Sequence, residues 1–168
     1  MVRRLTTALA CAAALALAPA AHADGDPASD ILFASDVYLP YSPKPGRHIS
    51  RILIRTLRQA RRHGYPMKVA LIESPADLGA YPSLFGHPRK YADLLSEELM
   101  YGEIEPHLLI VMPAGYAGVR LVPNHRRILR GVPIRRRKRS NGLVRAAIEA
   151  VAKLATAAGH PTKIPFIP

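Results

Sequence analysis

The chain has 168 residues and a formal net charge of +12 at pH 7. Its length suits one domain with a hydrophobic core of its own. Its single cysteine, Cys11, lies in an N-terminal segment that we expect to be removed, which excludes disulfides and thiol chemistry from the mature protein.

The first 23 residues follow the three-part plan of a secretory signal peptide. Arg3 and Arg4 precede an alanine-rich apolar run, and Ala21 and Ala23 provide the small residues of a signal-peptidase site. The apolar run is shorter than the roughly 20 residues that span a bilayer. We therefore expect a secreted or extracytoplasmic bacterial protein, cleaved after Ala23 and without a transmembrane span in its mature chain. Loss of the two arginines lowers the net charge from +12 to +10.

The mature chain is expected to open with a flexible leader over residues 24–30, followed by a single domain over 31–160. The segment "SDVYLPYSPKP" alternates apolar side chains and is rich in proline, which predicts an extended edge strand or strap. A helix is predicted over 45–62, because a proline suits its first turn and glycine and proline follow it. Its apolar residues share one face, and the opposite face carries Arg47, Arg51, Arg55, Arg58 and Arg62.

Two continuous apolar runs predict strands that are buried on both sides, Met67–Glu73 and His107–Met112. A helical pattern over Pro88–Tyr101 lies between them, and this order of strand, helix and strand predicts a parallel βαβ unit with a right-handed crossover. After the turn "PAGYAG", residues 119–122 predict a short strand antiparallel to the second run.

A last helix is expected to start near Ser140 or Asn141, either of which can act as its N-cap, and to end at Gly159. Residues 161–168 form a proline-rich tail. The predicted fold class is therefore α/β, with a small mixed sheet that contains a βαβ unit and a hairpin and is covered by about three helices.

The order of these pieces resembles the TPM domains, extracytoplasmic α/β modules of thylakoid-lumen and bacterial envelope proteins. "SDVYLP" resembles their opening segment, "MKVALIE" their first buried strand, "YADLLSEEL" their "eYAnxLfxxW" helix, and "PHLLIVMPAGYAGVRL" their hairpin. The resemblance implies a TPM-like sandwich over most of residues 36–158, and it makes Asp36 a candidate ligand or a residue that pins the chain. The family's acidic hairpin turn is absent, so the metal binding and phosphatase activity suggested for some members do not carry over.

The turn "PAGYAG" could in principle hold a phosphate. Gly115 and Gly118 lead into a predicted strand, however, and not into the helix N-terminus that a phosphate loop needs. The sequence therefore predicts a hairpin turn, with Tyr116 at its tip as a possible partner contact. The mature histidines are scattered without a helical i,i+4 pair, so we predict no metal site and no cofactor.

Glu73, Ser74 and Asp77 follow the first buried strand, where parallel sheets commonly bind ligands. They support one alternative function, a phosphatase-like hydrolase. The other interpretation is a serine–proline turn that Asp77 caps. There is no G-x-S-x-G motif to favour the hydrolase.

Positive charge is the strongest functional signal. Residues 120–145 contain ten basic residues and no acidic one. Secretion argues against nucleic acid, so the expected partner is an anionic envelope component or another protein, and we predict a non-enzymatic envelope module. A solvated basic loop that reflects codon bias is the alternative. The candidate anion-binding residues are Arg51, Arg55, Arg58, Arg62, Arg126, Arg127, Arg135, Arg136, Arg137 and Arg139.

Overall fold

The computed structural model describes residues 25–102, 105–164 and 166. Within these ranges the chain forms a mixed four-stranded sheet between two layers of helices, so the predicted α/β class is confirmed. The helices are α1 (Pro27–Ala34), α2 (Arg47–Arg62), α3 (Pro88–Tyr101), α4 (His125–Arg130) and α5 (Arg139–Ala157), and the strands are β1 (Val37–Tyr38), β2 (Met67–Leu71), β3 (His107–Met112) and β4 (Gly115–Val119).

The strands lie in the order β1-β2-β3-β4. The first three are parallel, and β4 runs antiparallel to β3, which confirms the predicted hairpin. The proline-rich opening segment supplies β1 at one edge of the sheet, where Val37 pairs with Val69. The sheet therefore contains two overlapping βαβ units, and the sequence had predicted only the second.

The two faces of the sheet are covered by different helices. Val69, Leu109 and Val111 pack against α2 and α5. The alternating residues Ala70 and Ile110 pack against α1 and α3. Both central strands are buried on both sides, which explains why they read as continuous apolar runs.

The connecting helices α2 and α3 lie on opposite faces of three parallel strands that follow one another in sequence order. The β1-α2-β2 and β2-α3-β3 crossovers must therefore have opposite handedness. Only one of them can be right-handed, although right-handed crossovers are strongly preferred.

The predicted flexible leader is wrong from residue 27 onward, because α1 begins there. Asp26 caps this helix by accepting a hydrogen bond from the backbone N–H of Ala28 at 3.1 Å. At the other end, the buried ammonium of Lys68 donates to the carbonyls of Leu32 and Ser35. An aspartate followed by proline is a helix-start signal that the polar composition obscured. The predicted signal peptide, 1–23, lies outside the described residues.

Several predicted boundaries move. The strand β2 ends at Leu71 instead of residue 73. The hairpin turn is only Pro113-Ala114, so β4 occupies most of "PAGYAG" and ends where the third strand was expected to begin. The helix α4 was not predicted, and Leu129 on it is buried in the core.

The predicted capping of the last helix is also wrong, because Ser140 and Asn141 hold a different loop. The Ser140 hydroxyl donates to the carbonyl of Pro43, and Asn141 Oδ1 accepts from the N–H of Gly46 at 2.7 Å. These contacts fix the segment between β1 and α2, and α5 begins at Arg139. Among the described residues, no helix has both the length and the apolar character needed to cross a membrane.

Candidate anion-binding surface

The helix α2 presents a row of arginines to solvent. Its other side is fixed to the sheet by buried apolar residues, including Leu53 and Leu57. The burial pattern therefore confirms that the predicted arginine side faces outward. The row, which we call the arginine face, consists of Arg47, Arg51, Arg55, Arg58 and Arg62, all of them exposed.

None of the five arginines of this face forms an ion pair with another described residue. Arg61, which the sequence analysis did not single out, differs from them. Its guanidinium donates to Asp36, with Nε at 3.2 Å from Oδ2, and so ties α2 to the residue just before β1. Asp36 thus pins the chain through an arginine side chain.

The second basic segment, residues 135–139, forms a short 3-10 turn that leads into α5, and all five residues are exposed. The helices α2 and α5 lie side by side and run in the same direction. Their starts meet through Asn141 and Gly46, and their ends meet where His160 Nδ1 contacts the carbonyl of His63. The start of α5, which follows this segment, therefore lies beside the Arg47 end of the arginine face.

Arg126 and Arg127 belong to another part of the molecule. They lie on α4, which packs against α5 and β4, whereas α2 packs against α5 and β2. The predicted set of arginines is therefore divided by the fold. Arg51, Arg55, Arg58 and Arg62 lie along α2, and Arg135, Arg136, Arg137 and Arg139 lie at the start of α5, whereas Arg126 and Arg127 lie near the far edge of the sheet.

Near that far edge, α3, β4 and α4 enclose a cleft of about 490 Å³. Arg89 and Asp93 line it from α3, and Arg126 and Arg130 from α4. Tyr116, predicted at a turn tip, lies in β4, and its hydroxyl donates to the carbonyl of Val132 at 3.1 Å. Burial raises the pKa of this tyrosine above its usual range. Arg89 and Arg130 were not predicted as site residues, because they are far apart along the chain.

The three residues of the hydrolase alternative do lie together at the end of β2. The buried carboxylate of Asp77 accepts hydrogen bonds from the N–H groups of Glu73 and Ser74, each at 2.9 Å, and from the N–H of Tyr41 at 2.8 Å. Its Oδ2 also lies 3.3 Å from the Ser74 hydroxyl, which has no histidine among its hydrogen-bond partners in the described residues. This is a capped serine–proline turn.

Glu73 faces Arg139, with Oε1 at 3.5 Å from the arginine Nε. Burial raises the pKa of the Glu73 carboxyl, and Arg139 partly opposes that effect. Arg139, a predicted anion-binding arginine, therefore already shares its charge with a carboxylate.

The remaining candidate sites have structural explanations. Gly115, at φ +147°, begins β4 immediately after the two-residue turn, so no helix N-terminus follows that could hold a phosphate. Ring nitrogens of His125 and His160 contact backbone carbonyls. In the part of the chain that the structure describes, no group of three or more histidine, cysteine, aspartate or glutamate side chains could hold a metal ion.

Comparison with known proteins found no matching family model, no matching curated protein and no matching solved structure. The resemblance to TPM domains therefore stays a prediction that rests on the sequence pattern alone.

Proposed function

We propose that this protein is a non-enzymatic module of the bacterial cell envelope that binds an anionic surface through the arginine face of α2. The observation that carries the proposal is a row of five exposed arginines on one rigid helix, none of them paired with a described carboxylate. The expected secretion supports the location, and the anions available there are phospholipid headgroups, wall polymers and acidic proteins.

The geometry of α2 suits a flat or repeating anion. The helix extends about 22 Å from its first to its last arginine at a rise of about 1.5 Å per residue. Packing of its apolar side holds the helix backbone in place, so little backbone conformational entropy is lost when an anion binds. Guanidinium groups bind phosphate and carboxylate through paired hydrogen bonds. Like charges at i,i+4 spacing also repel one another, and an anion relieves that repulsion.

Binding to vesicles tests the proposal. We expect the purified mature protein to sediment with vesicles that contain phosphatidylglycerol and not with vesicles of phosphatidylcholine alone. Binding should weaken steeply between about 50 and about 300 mM salt, because exposed charges are screened within about 10 Å at 0.1 M. Binding that ignores salt would contradict the proposal.

A matched pair of variants locates the binding surface. The triple variant Arg51→Gln, Arg55→Gln and Arg58→Gln should lower the partition coefficient on the order of 100-fold, since each basic residue near an anionic leaflet contributes about 1 kcal/mol. The control, Arg126→Gln, Arg127→Gln and Arg130→Gln, removes the same charge from α4. Equal losses in both would show that only net charge matters and would overturn the assignment to α2. Circular dichroism confirms folding of each variant.

A further inference from the structure

The free edge of β4 carries unpaired backbone groups. The carbonyl of Val111 accepts from the N–H of Ile72 at 3.0 Å, so Val111 directs its backbone groups toward β2 and away from β4. Tyr116 is its partner in the antiparallel register, and Gly118 is the next residue of the same alternation. Because pairs in such a ladder alternate between bonded and non-bonded, both residues direct their N–H and C=O groups away from β3.

Nothing among the described residues pairs with these outward groups. The strand β4 is last in the sheet, and no described backbone or side-chain group forms a hydrogen bond with the N–H or C=O of Tyr116 or Gly118. All five residues of β4 are half-buried, so the edge is reachable from outside. An open edge of this kind is a template for an added strand.

The cleft beside this edge has the form of a peptide groove. The edge of β4 is its floor, α3 forms one wall and α4 the other. Gly115 and Ala117 on the floor have small or no side chains, so another backbone can approach closely there, whereas the side chain of Leu121 packs over Gly118. The walls are basic, with Arg89, Arg126 and Arg130 against the single carboxylate of Asp93, and none of these four is in an ion pair with a described residue.

We propose that this cleft binds an extended acidic segment of another protein, which adds to β4 as a fifth strand. Backbone hydrogen bonds to Tyr116 and Gly118 supply affinity in strand addition, and the three arginines select acidic side chains. A second copy of this chain fits poorly, because a symmetric β4–β4 contact brings the same arginines of both copies together. The site shares no residue with the arginine face, so it stands independently of the proposed function.

Labelled peptides test the site directly. The probe is a blocked, fluorescein-labelled peptide of alternating glutamate and valine, six residues long. We expect it to bind, and we expect at least about tenfold weaker binding when lysine replaces glutamate, as for the loss of charge-assisted hydrogen bonds. A version N-methylated at alternate residues, on the edge that faces the protein, should lose binding to a similar degree. In the complex, the amide protons of Tyr116 and Gly118 should exchange more slowly with solvent.

Two variants separate this site from the arginine face. Arg89→Gln with Arg126→Gln and Arg130→Gln should weaken binding of the acidic peptide at least about tenfold, whereas Arg51→Gln with Arg55→Gln and Arg58→Gln should leave it nearly unchanged. Three results would each overturn the proposal. The first is an equal loss of peptide binding in both variants, and the second is unchanged amide exchange at Tyr116 and Gly118. The third is self-association through β4 in place of peptide binding.

Discussion

Asp77 uses its buried carboxylate to join two loops at the carboxyl end of the sheet. It accepts from the backbone of Glu73 and Ser74 after β2 and from the backbone of Tyr41 after β1. These backbone donors occupy its oxygens, as expected of a carboxylate that caps a turn. The spacing of serine and aspartate in "SPAD" is enough to predict the cap. The contact with Tyr41, 36 residues away, depends on the pairing of β1 with β2.

Asp26 is the second buried carboxylate, and it gives the protein a pH dependence. Burial raises its pKa to about 6 from an ordinary value of 3.8, although hydrogen bonds from Tyr91 and Ala28 oppose this. A carboxyl group whose pKa is higher in the folded state binds its proton more tightly there. Its contribution to stability is therefore fully present below pH 3.8 and is lost as the pH rises through about 6.

The substitution Asp26→Asn removes this titration but keeps an oxygen that can cap α1. We expect the free energy of unfolding of the wild type to fall relative to that of the variant between about pH 4 and about pH 7. Urea unfolding at a series of pH values measures this difference. The control is Glu97→Gln, an exposed carboxylate on α3. Parallel pH profiles of the wild type and Asp26→Asn would contradict the prediction.

At the scale of elements, β3 is one of the two central strands of the sheet. It pairs with β2 on one side and β4 on the other, and Ile110 on it is fully buried. The substitution Ile110→Ala should therefore lower the free energy of unfolding by about 2–5 kcal/mol, the usual effect of emptying a buried isoleucine position.

Chemical denaturation checks this value, with Ile31→Ala as the control. Ile31 lies on α1 and is 37% exposed, so its loss should change stability by only about 0.5 kcal/mol. A similarly small change for Ile110→Ala would mean that β3 is not a central strand.

At the scale of the whole molecule, the cap of the first helix lies close in sequence to the predicted cleavage site. Asp26 is buried and bonded to Tyr91 at 2.6 Å, so cleavage after Ala23 would leave two residues before the first helix cap. We expect mass spectrometry of the exported protein to give a mature chain that begins at Asp24. An intact N-terminus that retains Cys11 would contradict the predicted secretion.

The sequence by itself determined α2, α3, α5, the two central strands and the α/β class. Each of these elements repeats its pattern often enough to be recognised, either as a helical stripe or as an unbroken apolar run. The helices α1 and α4 are short and span few turns. Their polar surroundings therefore suggested loops, despite the helix-start and helix-end signals. The outward side of the α2 arginines followed from helical geometry alone, since the opposite stripe had to face the sheet.

Only the tertiary structure decided which charged residues share a surface. Sequence distance does not determine it: the start of α5 is about ninety residues from Arg47 but contacts the start of α2, while Arg127 is closer in sequence and lies near the opposite edge. The fold pairs Arg61 with Asp36 and Arg139 with Glu73, and each pair joins distant segments of the chain. The groove along β4 is also visible only in the fold, because its walls come from two helices, α3 and α4, that are far apart in sequence and flank the last strand of the sheet. Such contacts join distant segments of the chain, and no local periodicity records them.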